Sequence, residues 1–130
     1  MASLQSSGVL LVEDDVDIQE VVSWVLNAEG YEVVLAPDGE AALEHLRSCP
    51  RLPNVILLDL GMPTMNGAQF RAEQRRTRGA DIPVVIVSGD SQLSDKSTAL
   101  GAAGYLQKPM NLKDLFAMVE RFCRPVATGS

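Results

Sequence analysis

The sequence predicts an α/β fold, a parallel sheet with helices on both faces, and two observations carry that prediction. Gly8–Val12 (GVLLV), Asn54–Leu58 (NVILL) and Pro83–Val87 (PVVIV) are near-continuous apolar runs, the pattern of strands covered on both sides. Between such runs lie segments with helical spacing, so strand and helix alternate five times along the chain. That alternation is the mark of parallel strands joined by helical crossovers. Such crossovers are right-handed, and they place a site at the carboxyl ends of the strands, where the strand order switches.

The elements follow in order. After Gly8–Val12, the residues Ile18, Val21, Val22, Val25 and Leu26 fall on one helical face, with Asp15 and Asp17 at the start, where carboxylates suit the helix dipole. Gly30 stops this helix. Tyr31–Leu35 is a second strand, and Asp38–Ser48 a second helix with Ala42, Leu43 and Leu46 turned inward. Pro53 and the pair Gly61 and Pro63 bound the third strand, Asn54–Leu58. Gly67–Arg78 is a third helix anchored by Phe70, and Pro83–Val87 a fourth strand. Ser91–Leu100, polar with few apolar anchors, is a fourth helix. Tyr105–Gln107 is a fifth strand. Leu112–Phe122 is a fifth helix with Leu112, Leu115, Val119 and Phe122 on one face, and Arg121 and Arg124 suit its carboxyl end.

At 130 residues and 46% hydrophobic content the chain suits one domain with a full core. Residues 8–124 are expected to form it, with 1–7 and 125–130 as flexible tails. A net charge of −6 and a pI near 4.6 argue against binding nucleic acid or an anionic membrane surface, which needs a basic face. No membrane-length apolar run or signal peptide is visible. Cys49 and Cys123 stand far apart without companion residues and read as reduced thiols of a cytoplasmic protein, a disulfide between them being the alternative. Trp24 is expected packed or half-exposed on the first helix, His45 on the exposed side of the second. Arg71, Arg75, Arg76 and Arg78 read as a solvated helix end.

The residues that follow the strands matter most. Glu13 and Asp14 follow the first, Asp59 the third, Ser88 the fourth and Lys108 the fifth. Each has a bland reading alone: an acid-rich helix start, a cap, a solvated lysine. The topology instead gathers them at one sheet edge. Three carboxylates there repel one another unless a cation joins them. An all-oxygen, water-accessible set suits magnesium. Lys108 adds a fixed positive charge. A carboxylate able to attack, a divalent cation, an ammonium and a hydroxyl compose a phosphoryl-transfer site. Asp59, at the end of the middle strand, is the candidate nucleophile, and backbone N–H groups of the Gly61–Asn66 loop are candidate donors to phosphoryl oxygens.

VLLVEDD, VILLDLGMPTMNG, VVIVSGD and GYLQKP, in this order and spacing over roughly Gly8 to Arg124, resemble the receiver domain of bacterial two-component response regulators. The resemblance implies a flavodoxin-like, doubly wound sheet of five parallel strands in the order 2-1-3-4-5 with five helices. It implies Asp59 as phosphoacceptor for a sensor histidine kinase or phosphotransfer protein. It further implies Mg2+ held by Asp14, Asp59 and the backbone carbonyl of Gly61, with Glu13 acting through a bound water. Ser88 and Lys108 would stabilise the phosphoryl group, Ser88 and Tyr105 would form the switch, and the Lys108–Pro109 peptide would be cis. A downstream protein would bind the face of the fourth helix, fifth strand and fifth helix, and the chain would be a monomer or a phosphorylation-dependent dimer.

The sequence departs from the family at Gly61, where a larger residue, commonly methionine, stands near the path of attacking water. With Asp90 two residues after Ser88, this bears on the lifetime of the phosphoryl group. Asn66 replaces a common aspartate. No turnover enzyme is expected: a haloacid-dehalogenase-type phosphatase needs a second aspartate where Gly61 stands. A pseudo-receiver would lack an acidic or lysine position, and none is missing. A receiver excised from a hybrid histidine kinase or a larger regulator is the alternative context. No output domain is read after Pro125, and no nucleic-acid contact is expected within the chain.

Overall fold

The computed structural model describes residues 8–62, 65–89 and 98–123. The three apolar runs become the three interior strands of a five-stranded parallel sheet ordered β2-β1-β3-β4-β5. These are β1 (Gly8–Val12), β3 (Val55–Asp59) and β4 (Val84–Ser88), and every residue of β3 and β4 is buried. The edge strands β2 (Glu32–Ala36) and β5 (Gly104–Gln107) carry exposed residues, as strands with one free edge and partial cover do. The fold is therefore the flavodoxin-like one expected.

Side chains alternate between two cores, as the two-residue strand period requires. Leu10, Val12, Ile56, Leu58, Val84 and Ile86 pack with Leu43, Leu46 and Phe70 of α2 (Gly39–Ser48) and α3 (Gly67–Gln74). Val9, Leu11, Val55, Leu57, Val85 and Val87 face Val22 and Leu26 of α1 (Val16–Ala28) and Leu115 and Val119 of the final helix, Leu112–Phe122. Local chemistry sets the helix starts. Asp15, Asp38, Asn66 and Asn111 each accept backbone N–H groups of the following turn, which satisfies donors that a helix start leaves open. Asn66 and Gln69 form a reciprocal capping box. Gly30 ends α1 at φ 93°, a conformation only glycine adopts without strain.

Several expectations are corrected. The third helix ends at Gln74, not Arg78, because Arg75–Thr77 turn back on the last helical carbonyls. Strand boundaries move by one residue: Tyr31 is buried ahead of β2, and Asp59 and Ser88 are the last residues of their strands rather than the residues after them. Val21 (54% exposed) and Leu112 (45%) lie off their buried faces, and Trp24 is 76% exposed. His45 is partly buried beside a cavity of about 50 Å3 that Arg51 and Pro53 also line. Arg71 is no solvated helix end. Its guanidinium donates to the carbonyls of Leu100 and Gly101 and to Gln74 Oε1. Four helices lie wholly among the described residues. Most of the expected fourth helix, Ser91–Leu100, falls outside them, and Thr98 and Ala99 are helical. Asp90, Arg124 and the two expected tails also lie outside. Cys49 and Cys123 are free and buried.

Candidate functional site

The strand register brings the expected residues to one edge. Val12 pairs with Leu58, Asp59 with Val87, and Ser88 with Gln107. Glu13 and Asp59 therefore sit level, with Ser88 one residue and Lys108 two residues further along, at the carboxyl ends of β1, β3, β4 and β5. Glu13 is 1% exposed, Asp59 5% and Ser88 8%, whereas Asp14 is open to solvent. One carboxylate oxygen each of Glu13, Asp14 and Asp59 lie within 4.8 Å of one another.

Lys108 closes this cluster. Its Nζ lies 3.2 Å from Glu13 Oε1 and 3.2 Å from Asp59 Oδ2. Its backbone N–H donates to the Ser88 carbonyl at 2.9 Å, and the Lys108–Pro109 peptide is cis. Burial pulls the ammonium pKa down, but hydrogen bonding and attraction from Asp59 and Glu13 outweigh it and leave the pKa raised. Glu13 is also raised, first by burial and then by the Asp59 carboxylate; the Asp15 N–H and the Lys108 charge oppose the shift. A buried acid pushed upward beside a second carboxylate marks a place where a further cation is welcome.

Gly61 stands next to the cluster, and its N–H donates to Asp59 Oδ1 at 2.8 Å. A Cβ at this position would lie 3.3 Å from Asp59 Oδ1, tight but within what a small side-chain shift accommodates. Tyr105 is not drawn into the site. It is 46% exposed and lines a cavity of about 340 Å3 with Pro109, Asn111, Asp114, Met118 and Arg121. A larger groove of about 550 Å3 opens beside Lys108 between α1 and the final helix.

Reading the sequence missed Gln19. Its Nε2 donates to the Glu13 carbonyl at 2.6 Å. No local pattern marks such a contact, because a polar residue in the first turns of a helix is ordinarily solvated.

The donor set fits a hard divalent cation. Three carboxylates each bring an oxygen within 4.8 Å of the others, a single ammonium answers two of them, and the exposed Asp14 leaves the cluster open to water. Among the described residues no helix is long and apolar enough to cross a membrane.

A family model described as the response regulator receiver domain matches residues 9–120. The chain is 33% identical over 129 residues to the probable transcriptional regulator ycf27 of Porphyridium aerugineum, with 98% of this chain and 52% of that protein covered. It is 33% identical over 132 residues to the alkaline phosphatase synthesis transcriptional regulatory protein SphR of Synechococcus elongatus, covering 95% and 51%. The chain thus spans about half the length of the curated relatives it matches. Among solved structures, the Vibrio cholerae chemotaxis protein CheY4 superposes with a TM-score of 0.78 at 31% identity, over 90% of this chain and 98% of that one. The receiver domain of the Pseudomonas aeruginosa sensor histidine kinase PA1611, solved with a magnesium ion in its active site cleft, gives 0.78 at 27% identity over 90% and 97%.

Proposed function

The chain belongs to the response regulator receiver domain family of two-component signalling, and from that membership we propose that it is a phosphorylation switch with Asp59 as phosphoacceptor. The observation that carries the proposal is Lys108 bridging two buried carboxylates, Glu13 and Asp59, with Asp14 beside them. Residues 8–124 form the working unit.

The donor is a phosphohistidine of a sensor kinase or phosphotransfer protein. An Asp59 oxygen attacks phosphorus, the O–P bond forms as the N–P bond breaks, and the histidine nitrogen leaves with its electron pair. The chain's own groups make this possible by position and charge. Burial in β3 fixes the attacking carboxylate. The Gly61 N–H holds Asp59 Oδ1 at 2.8 Å and so selects which oxygen is engaged. Lys108 supplies a positive charge where the transferred oxygens gather, and the Ser88 hydroxyl donates to one of them. Asp14, Asp59 and the Gly61 carbonyl would hold Mg2+, with Glu13 reaching it through water, and the bound ion would supply charge neutralisation for the phosphoryl oxygens. The chain switches state and is no turnover catalyst.

The phosphoryl group carries roughly −1.5 to −2 charge, and because the Asp59 carboxylate gives up its own charge in the new bond, the site gains about −0.5 to −1. Ser88 moves toward it, and the outward Tyr105 turns in to fill the space. That remodels the face of the fourth helix, β5 and the final helix for a downstream protein. The relatives named as transcriptional regulators are about twice this length, which supports an output carried elsewhere in the same polypeptide or by a partner.

The test is incubation with acetyl phosphate and magnesium. Wild type gains one acid-stable, base-labile phosphate and Asp59→Asn gains none. Equal labelling of the two, or none of either, would sink the proposal.

A further inference from the structure

The Glu13–Asp14 peptide joins the buried acid to the exposed one. Rotating its plane would swing the Asp14 carboxylate relative to Glu13 and Asp59. Its neighbours are fixed on two sides. The Glu13 N–H donates to the Ala36 carbonyl of β2 at 3.0 Å. Glu13 Oε2 accepts the Asp15 N–H at 3.1 Å, and Asp15 in turn caps α1. The carbonyl of the peptide itself is taken by the side chain of Gln19, at 2.6 Å across six residues. Gln19 is partly buried, and its backbone N–H donates to the carbonyl of Asp15, the residue that caps α1. The amide is therefore anchored to a rigid helix and reaches back over the loop.

We propose that Gln19 is a positioning residue for the acidic cluster: its side-chain amide locks the Glu13–Asp14 peptide plane and so sets the divalent-cation affinity of the site. The inference rests on the reading of Glu13, Asp14 and Asp59 as that site. A peptide carbonyl is a broad acceptor that water also satisfies. The contact therefore adds order to the loop, because the acceptor has no need of it for solvation. Partners that orient ligands from behind typically change metal affinity by about 10–100-fold when removed. Acting through a backbone group rather than on a ligand atom, Gln19 belongs at the lower end, about tenfold.

The experiment compares wild type with Gln19→Met, which keeps the length and loses the donor, and Gln19→Asn, which keeps the amide but is one methylene short. Magnesium affinity is measured by calorimetric titration, and amide hydrogen exchange is followed in EDTA. Both variants are expected to bind magnesium about tenfold more weakly. The Asp15 amide should exchange faster, with β3 and β4 amides unchanged. At saturating magnesium, phosphorylation by acetyl phosphate should recover to the wild-type rate. Wild-type affinity in either variant overturns the proposal, and so does faster exchange throughout the sheet, which marks a merely structural role. Wild type that binds no magnesium refutes the cation site itself. Should both variants fail to fold, the side-chain amide protons of Gln19 in the wild type decide the matter. Exchange as fast as that of an exposed glutamine overturns the proposal, and slowed exchange supports it.

Discussion

Replacing Lys108 by methionine removes one charge and keeps most of the aliphatic stem, and the structure gives the expected size of the effect. Nζ lies 3.2 Å from a carboxylate oxygen of Glu13 and 3.2 Å from one of Asp59. At an effective dielectric constant of about 20, each pair has a gross attraction of about 5 kcal/mol. Most of that is offset. The ammonium gives up hydration to sit there, and its side chain remains 26% exposed, so solvent screens part of the attraction. Glu13 can also relieve its loss by taking up a proton. Truncating one partner of a fully buried pair costs about 3–5 kcal/mol; for this half-open arrangement we expect about 1–3 kcal/mol. The loss should depend on magnesium. The two carboxylates that lose Lys108 are the ones that would hold or steer the ion, so the variant should bind it more tightly than wild type. Ligand linkage then returns stability. Urea denaturation at neutral pH would show Lys108→Met less stable by this amount in EDTA, with the gap narrowing in millimolar magnesium. Equal stability in EDTA would refute the electrostatic account of the cluster. A gap that magnesium leaves unchanged, while wild type is stabilised, would refute the shared use of the two carboxylates.

Three further outcomes are expected. The folded-state pKa of Glu13 lies above its ordinary value of 4.5, so the folded chain holds an extra proton from about that pH up to the raised value. Stability falls as pH rises through that window and stays lowered above it; in EDTA, Glu13→Gln should flatten the decline, and an unchanged slope would remove Glu13 as its cause. Gln74 is fully buried and donates to the carbonyls of Gly79 and Ile82 at 2.9 and 3.0 Å. Gln74→Leu orphans both and should cost about 2–4 kcal/mol in chemical denaturation; a change under about 0.5 kcal/mol would match an exposed site instead. Burial pushes the Cys123 thiol up to about 12, so in a Cys49→Ser background native protein should resist iodoacetamide near pH 8 and react once unfolded. Rapid stoichiometric labelling of the native state would contradict that burial.

The sequence by itself determined the sheet and which polar residues stand at its carboxyl edge. β1, β3 and β4 are legible as unbroken apolar runs because helices cover both their faces, so no solvent-side polar residue interrupts them. Glu13, Asp59 and Ser88 stand out because polar groups at the ends of such runs have no packing reason to be there. Only the tertiary structure decided the rest, and distance along the chain is the common reason. Lys108 reaches Glu13 although β5 lies three strand spacings, about 14 Å, from β1 in the sheet. Arg71, read from the sequence as part of a solvated helix end, instead reaches the carbonyl of Leu100, 29 residues on. Val21 and Leu112 obey helical periodicity yet face outward, because the width of the buried stripe is set by the neighbouring element and not by the helix. Local pattern records what a residue's own neighbours in sequence require. Which polar atoms meet across a crossover is fixed only when the strands have taken their order.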